Sequence, residues 1–118
     1  MYVISLVVKN EFGVMQRIMG EFTRNKINVE SIVVGKCETP GRSRMVLSVI
    51  DRDAAELAAG KLQKLMDVFE IRLVDKYAAF ALMSTTDGGV GVVGQPEQVE
   101  ELTDRAKPEK YIVALNAL

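Results

Sequence analysis

At 118 residues, with 48% apolar and 26% charged side chains, the chain has the size and composition of one folded domain or of a small domain with an appendage, and lies outside the disordered class. Fifteen Lys and Arg against sixteen Asp and Glu leave a net charge of −1, which supplies no field to gather nucleic acid or an anionic membrane. With no histidine and a single cysteine, Cys37, the chain lacks Ser-His and Cys-His nucleophile pairs, an imidazole base, a disulfide framework and a thiolate metal cluster.

These exclusions lead to the expectation of a non-enzymatic protein with no catalytic residues, no metal and no cofactor. A lone cysteine fits a reducing compartment, and the opening MYVISLVVKNE has neither a basic leader nor a small-residue cleavage site. The expected location is the cytoplasm, without a membrane span.

Tyr2 to Val8 (YVISLVV) is almost continuously apolar and β-branched, which predicts a central strand covered on both faces. After the polar loop Lys9 to Gly13, apolar residues Val14, Met15, Ile18, Met19 and Phe22 recur at helical spacing and predict a first helix. Ile27 to Gly35 reads as a second strand, turning at Thr39-Pro40-Gly41 into a third over Arg44 to Ile50. Asp53 with Glu56 resembles a capping box for a second helix, whose apolar stripe would be Ala54, Leu57, Ala58, Leu62 and Leu65. Val68 to Val74 alternates, with Phe69, Ile71 and Leu73 on one face, as a half-exposed fourth strand does.

The order βαββαβ predicts an α+β, ferredoxin-like sandwich over residues 1–75: four antiparallel strands with both helices on one face, the first strand inside and the second at an edge. Residues 76–118 read as a small C-terminal β-α-β annex that packs on the main sheet or completes a partner's. In it Tyr77 to Met83 is either strand or short helix, Ser84 to Gly94 is a glycine-rich turn region with room for a short strand, and a helix over Glu97 to Ala106 opens at Pro96. Tyr111 to Leu115 closes the chain as a strand.

Several features have plain structural readings. Asp51 and Asp53 fit a turn and a helix cap better than a cation site, since two carboxylates fall short of a calcium or magnesium cage. Cys37 fits a small buried residue, and Met15, Met19, Met45 and Met66 fit core filler. Gly88 to Gly94 lacks the Gly-Lys-Ser/Thr ending of a phosphate loop. The βαββαβ order is shared with RNA-recognition domains, but Arg44 to Ile50 carries no aromatic on which a base would stack, and no nucleic-acid partner is expected.

The loop Asn10 to Gly13 has two readings of equal weight on spacing alone. Asn10 caps the helix and Gly13 permits the bend, or the free amides at the helix start sit beside an asparagine and hold a small carboxylate.

The segment Asn10-Glu11-Phe12-Gly13-Val14-Met15-Gln16-Arg17-Ile18-Met19-Gly20-Glu21-Phe22, followed by Ile27-Asn28-Val29-Glu30-Ser31-Ile32, closely resembles the ACT domain of acetolactate (acetohydroxyacid) synthase regulatory small subunits. Ser43-Arg44-Met45 and Leu65-Met66-Asp67-Val68 extend the resemblance to about residue 75, and Lys26 stands where that family usually has glycine. The resemblance implies a regulatory, non-catalytic subunit that pairs edge to edge as a homodimer. It implies binding of a branched-chain amino acid, usually valine, at the dimer interface, and transmission of activation and feedback inhibition to a catalytic subunit. It assigns ligand contacts to Asn10, Gly13 and Val14 of one protomer and to Asn28 and Val29 of the other. Ile32 joins Val14 and Val29 as a candidate wall for an apolar slot. A free-standing ACT-domain amino-acid sensor without a synthase partner is the alternative.

Overall fold

The computed structural model describes residues 1–118, and its organisation follows from strand β1 (Tyr2–Lys9), in which Val3 to Val8 are all buried. Neither face of this strand meets water, so each must be covered by a different layer. Sheet order β2-β3-β1-β4 sets β1 inside, with β2 (Ser31–Lys36) and β4 (Val68–Val74) at the edges and β3 (Arg42–Val49) as its other antiparallel neighbour. This is the expected ferredoxin-like arrangement.

Side chains alternate across the sheet, so Ile4, Leu6 and Val8 face one way and meet Met45, Leu47 and Val49 of β3. Over them lie helix α1 (Val14–Arg24), through Val14, Ile18 and Phe22, and helix α2 (Arg52–Leu62), through Ala55, Ala58 and Leu62. The opposite face presents Val3, Val46 and Val74, which form a second core with Ala79, Ala81, Val99 and Leu115 from residues beyond 76.

That C-terminal part departs from a simple β-α-β annex. Tyr77 to Thr85 is a strand, β5, and most of the glycine-rich region is strand β6 (Gly88–Gly94), paired residue for residue with it. Helix α3 (Pro96–Ala106) and strand β7 (Lys110–Ala117) follow, giving a three-stranded sheet of order β6-β5-β7 packed on the main sheet. Gly88, Gly89, Gly91 and Gly94 are all accommodated in this extended strand, which the turn reading undervalued. Gln95 and Gln98 form the reciprocal cap of α3, with Pro96 at its first position as expected.

Four expectations shift. The cap of α2 is Asp51, whose carboxylate accepts the Asp53 N–H at 3.2 Å; Ala58 and Leu62 of the expected stripe are buried and Leu65 packs against the core, but Ala55 is buried as well and Leu57 is exposed. Met15 is 48% and Met66 97% exposed, and neither is core filler. Cys37 is half-buried just beyond β2, and not enclosed. A register shift between Val7 and Val8 leaves Phe69 without a partner on β1, which breaks the alternation of β4; the Arg42 guanidinium covers its ring at 3.9 Å from the centroid.

Helix α1 ends in a Schellman turn: the Ile27 N–H donates to the Phe22 carbonyl and the Lys26 N–H to the Thr23 carbonyl. The left-handed position of this turn is occupied by Lys26, at φ 55°, where a side chain is strained and glycine is not. Lys26→Gly is therefore expected to stabilise the fold by about 1 kcal/mol, read as a raised urea midpoint with an unchanged slope.

Candidate functional site

The loop between β1 and α1 is anchored by its backbone. The Asn10 N–H donates to the Gly41 carbonyl of the β2–β3 turn at 3.0 Å, and the Arg17 N–H donates to the Gly13 carbonyl at 3.1 Å. Gly13 holds the N-cap position with φ 85°, a left-handed conformation that allows the abrupt change from strand to helix. No side chain caps α1, so Asn10 does not serve as the cap, and its exposed side chain makes no hydrogen bond within the protomer. The amides of Gly13, Met15 and Gln16 have no backbone acceptor, while that of Val14 donates weakly to the Glu11 carbonyl at 3.3 Å. With no acidic residue in the first turn, this helix start is free to receive a carboxylate.

An open groove of about 630 Å³, in the range of small-molecule sites, begins at Phe12 and Gly13 and continues past Gln16, Arg17 and Gly20. A second cavity of about 630 Å³ lies along β4, lined by Ser5, Arg44, Glu70 and Arg72 among others, and contains none of the predicted site residues.

The β2–β3 turn that receives Asn10 is itself held by a two-pronged ion pair, Arg44 to Glu38 at 2.7 and 2.9 Å. The guanidinium hydrogen bonds hold the Glu38 carboxyl down to about 2. The pair thus contributes fully above the ordinary carboxylate range, and its contribution is lost as pH falls toward about 2.

The other predicted contacts lie on the approach to β2. Asn28, Glu30, Ile32 and Val34 are exposed, whereas Ile27, Val29, Ser31 and Val33 are half-buried. Val29 leans on the main core, and Ile32, opposite Leu47, projects from the edge strand on that same helix-covered face but stays exposed. The Asn28 side-chain N–H donates to Glu30 at 3.4 Å, which sets this exposed amide beside a carboxylate. Glu30 escaped the sequence reading; its two-residue offset from Asn28 in an extended segment is the signal that could have found it. Val14 is only 2% exposed and belongs to the core, so outward it offers its backbone and not a wall of an apolar slot.

Within one protomer these two groups stand far apart. Helix α1, 11 residues and about 16 Å long, separates Gly13 from the segment that carries Asn28. The sheet register agrees: Ser31 at the start of β2 lies opposite Ser48, itself opposite Val3, while Lys36 at its end lies opposite Ser43, itself opposite Val8. Asn10 and Gly13 are thus at the end of the sheet where β2 finishes, and Asn28 is at the end where it begins.

An edge-stranded βαββαβ domain with an uncapped, glycine-started first helix is the architecture of an ACT regulatory domain. Residues 4–70, more than half of the chain, match the pattern described as AHAS small subunit-like ACT domain, and the chain belongs to that family. It is 42% identical over 72 residues to a protein of Methanothermobacter thermautotrophicus named "Probable acetolactate synthase small subunit", covering 60% of this chain and 43% of that one. It is 41% identical over 71 residues to the acetolactate synthase small subunit of Bacillus subtilis, covering 58% and 41%. The matched stretch spans less than half the length of these curated relatives.

The crystal structure of the Thermotoga maritima acetolactate synthase small subunit has the same fold, with a TM-score of 0.80 at 22% identity over 99% of this chain and 95% of that one. The likeness in fold therefore extends through β5 to β7, beyond the segment in which sequence resemblance was visible. No helix is long and apolar enough to cross a membrane.

An alanine at position 13 would have to adopt the left-handed conformation, and its methyl would lie 3.2 Å from the Arg17 guanidinium. Gly13→Ala is expected to destabilise the protein by about 1–2 kcal/mol in urea denaturation, with accelerated hydrogen exchange confined to residues around the start of α1.

Proposed function

We propose that this chain is a regulatory subunit of acetolactate synthase, whose homodimer binds a branched-chain amino acid, valine foremost, and conveys activation and feedback inhibition to a catalytic subunit. The observation that carries the dimeric site is the separation of the two half-sites along α1. A single amino acid is much shorter than that helix and reaches both half-sites only if a second protomer brings its Asn28 to the first protomer's Gly13.

A two-fold axis beside edge strand β2 has this effect. Antiparallel pairing of β2 with its copy sets the start of one strand against the end of the other. It also covers Ile32 and Val34, each 39% exposed on that edge. In such a pair the amides of Gly13 and Val14 receive the ligand carboxylate, aided by the helix dipole. The side-chain oxygens of Asn10 and Asn28 receive its ammonium, with Glu30 adding charge, and Val29 and Ile32 border its aliphatic group.

Membership in the AHAS small subunit-like ACT family, and the names of the similar proteins, support a synthase partner over a free-standing sensor. Phe12, fully exposed in the same loop, and Met66 are apolar side chains open to such a partner.

Two measurements test this reading. Asn28→Ala is expected to weaken valine binding about tenfold in calorimetry while the melting temperature stays nearly constant, because Asn28 is exposed. A large drop in melting temperature with unaltered affinity would contradict it. Ile32→Asp is expected to yield monomers in analytical ultracentrifugation and to abolish valine-dependent inhibition of the reconstituted synthase; persistent dimers that still confer inhibition would exclude β2 as the shared edge.

A further inference from the structure

Arg17 lies one helical turn beyond Gly13, and its guanidinium is held in a defined direction. Its Nε–H donates to the Asp67 carboxylate at 2.7 Å, and Asp67 is only 21% exposed at its side chain. The Asp67 backbone is fixed in turn, because its carbonyl accepts the Lys9 N–H at 2.9 Å, at the last residue of β1. Asp67 therefore grips both flanks of the Asn10 to Gly13 loop, by main chain on one side and through Arg17 on the other.

With Nε occupied by Asp67, the two terminal nitrogens of Arg17 have no partner within the protomer. One of them lies 3.2 Å from the point where a Cβ on Gly13 would stand, so the free fork of the guanidinium borders the groove beside the glycine. A guanidinium with one edge held by an acid and the other open is pre-organised to take a carboxylate in two-pronged fashion, which an ammonium cannot match.

We infer that Arg17 is an additional ligand-binding residue: its terminal N–H groups bind the effector carboxylate together with the Gly13 amide, and Asp67 is the positioning residue that aims them. This rests on the amino-acid-binding reading above and extends it to residues outside the asparagine and glycine positions. It also explains why the first turn of α1 carries no acid, which would compete for the same fork.

The test compares L-valine with L-valinamide, which lacks the carboxylate charge, by calorimetry on the dimer. Wild type is expected to prefer valine, and in Arg17→Gln valine binding is expected to weaken about tenfold while valinamide binding hardly changes, so the discrimination collapses. Asp67→Asn is expected to lose about fivefold of valine affinity with partial loss of discrimination, and Asp67→Glu to recover most of it. A purely structural Arg17 would weaken both ligands alike, so an unchanged valine-to-valinamide ratio in a folded Arg17→Gln protein overturns this assignment and leaves amino-acid binding standing. Absence of valine binding by the wild-type dimer would remove the underlying reading as well.

Discussion

The constraint on which the structure depends is that β1 is buried on both faces. Six consecutive side chains, Val3 to Val8, leave water, so the strand has to be interior to its sheet and sandwiched between layers. One face calls for α1 and α2, and the other calls for β5, β7 and α3. A lone βαββαβ unit would leave Val3, Val46 and Val74 uncovered, which gives the C-terminal sheet a packing role whatever else it does.

A strand held this firmly also fixes the loop that leaves it. The chain leaves β1 through four loop residues whose backbone is fixed by the β2–β3 turn, by the α2–β4 connection and by the first turn of α1. The result is a set of unpaired donors on a rigid base, with the left-handed backbone position of the loop falling on Gly13, where glycine tolerates it. On the reading proposed above, binding at such a place would cost little reorganisation, and a ligand shared between two protomers would change the free energy of their interface directly. A few charge-assisted hydrogen bonds at such an interface would supply the roughly 1–3 kcal/mol of coupling that the proposed regulation needs.

The misplacements in the sequence reading have physical causes. Met15 and Met66 are apolar and fall near helical spacing, but a stripe only says which side chains can be buried together, and α1 is rolled so that Val14, Ile18 and Phe22 fill the space over β1. Asp51 and Asp53 both suit an N-cap, and the choice depends on where the backbone of β3 releases the chain. The glycine-rich segment becomes strand because β5, which directly precedes it, supplies a ladder through the two-residue turn Thr86-Asp87, so the Asp87-Gly88 turn was the local signal that the reading passed over. Val14 matched the family's ligand position, yet its side chain is claimed by the core.

By itself the sequence determined the element order up to β4, the interior place of β1 and the family, because periodicity, turn chemistry and motif spacing are local properties of the chain. Only tertiary structure decided that Gly13 and Asn28 stand at opposite ends of one protomer, that Asp67 reaches back across 50 residues to hold Arg17, and that the last third of the chain closes the second face of the main sheet. Those are relations between distant segments, set by strand register and by the volume each core must fill, and they exist only once the chain has packed.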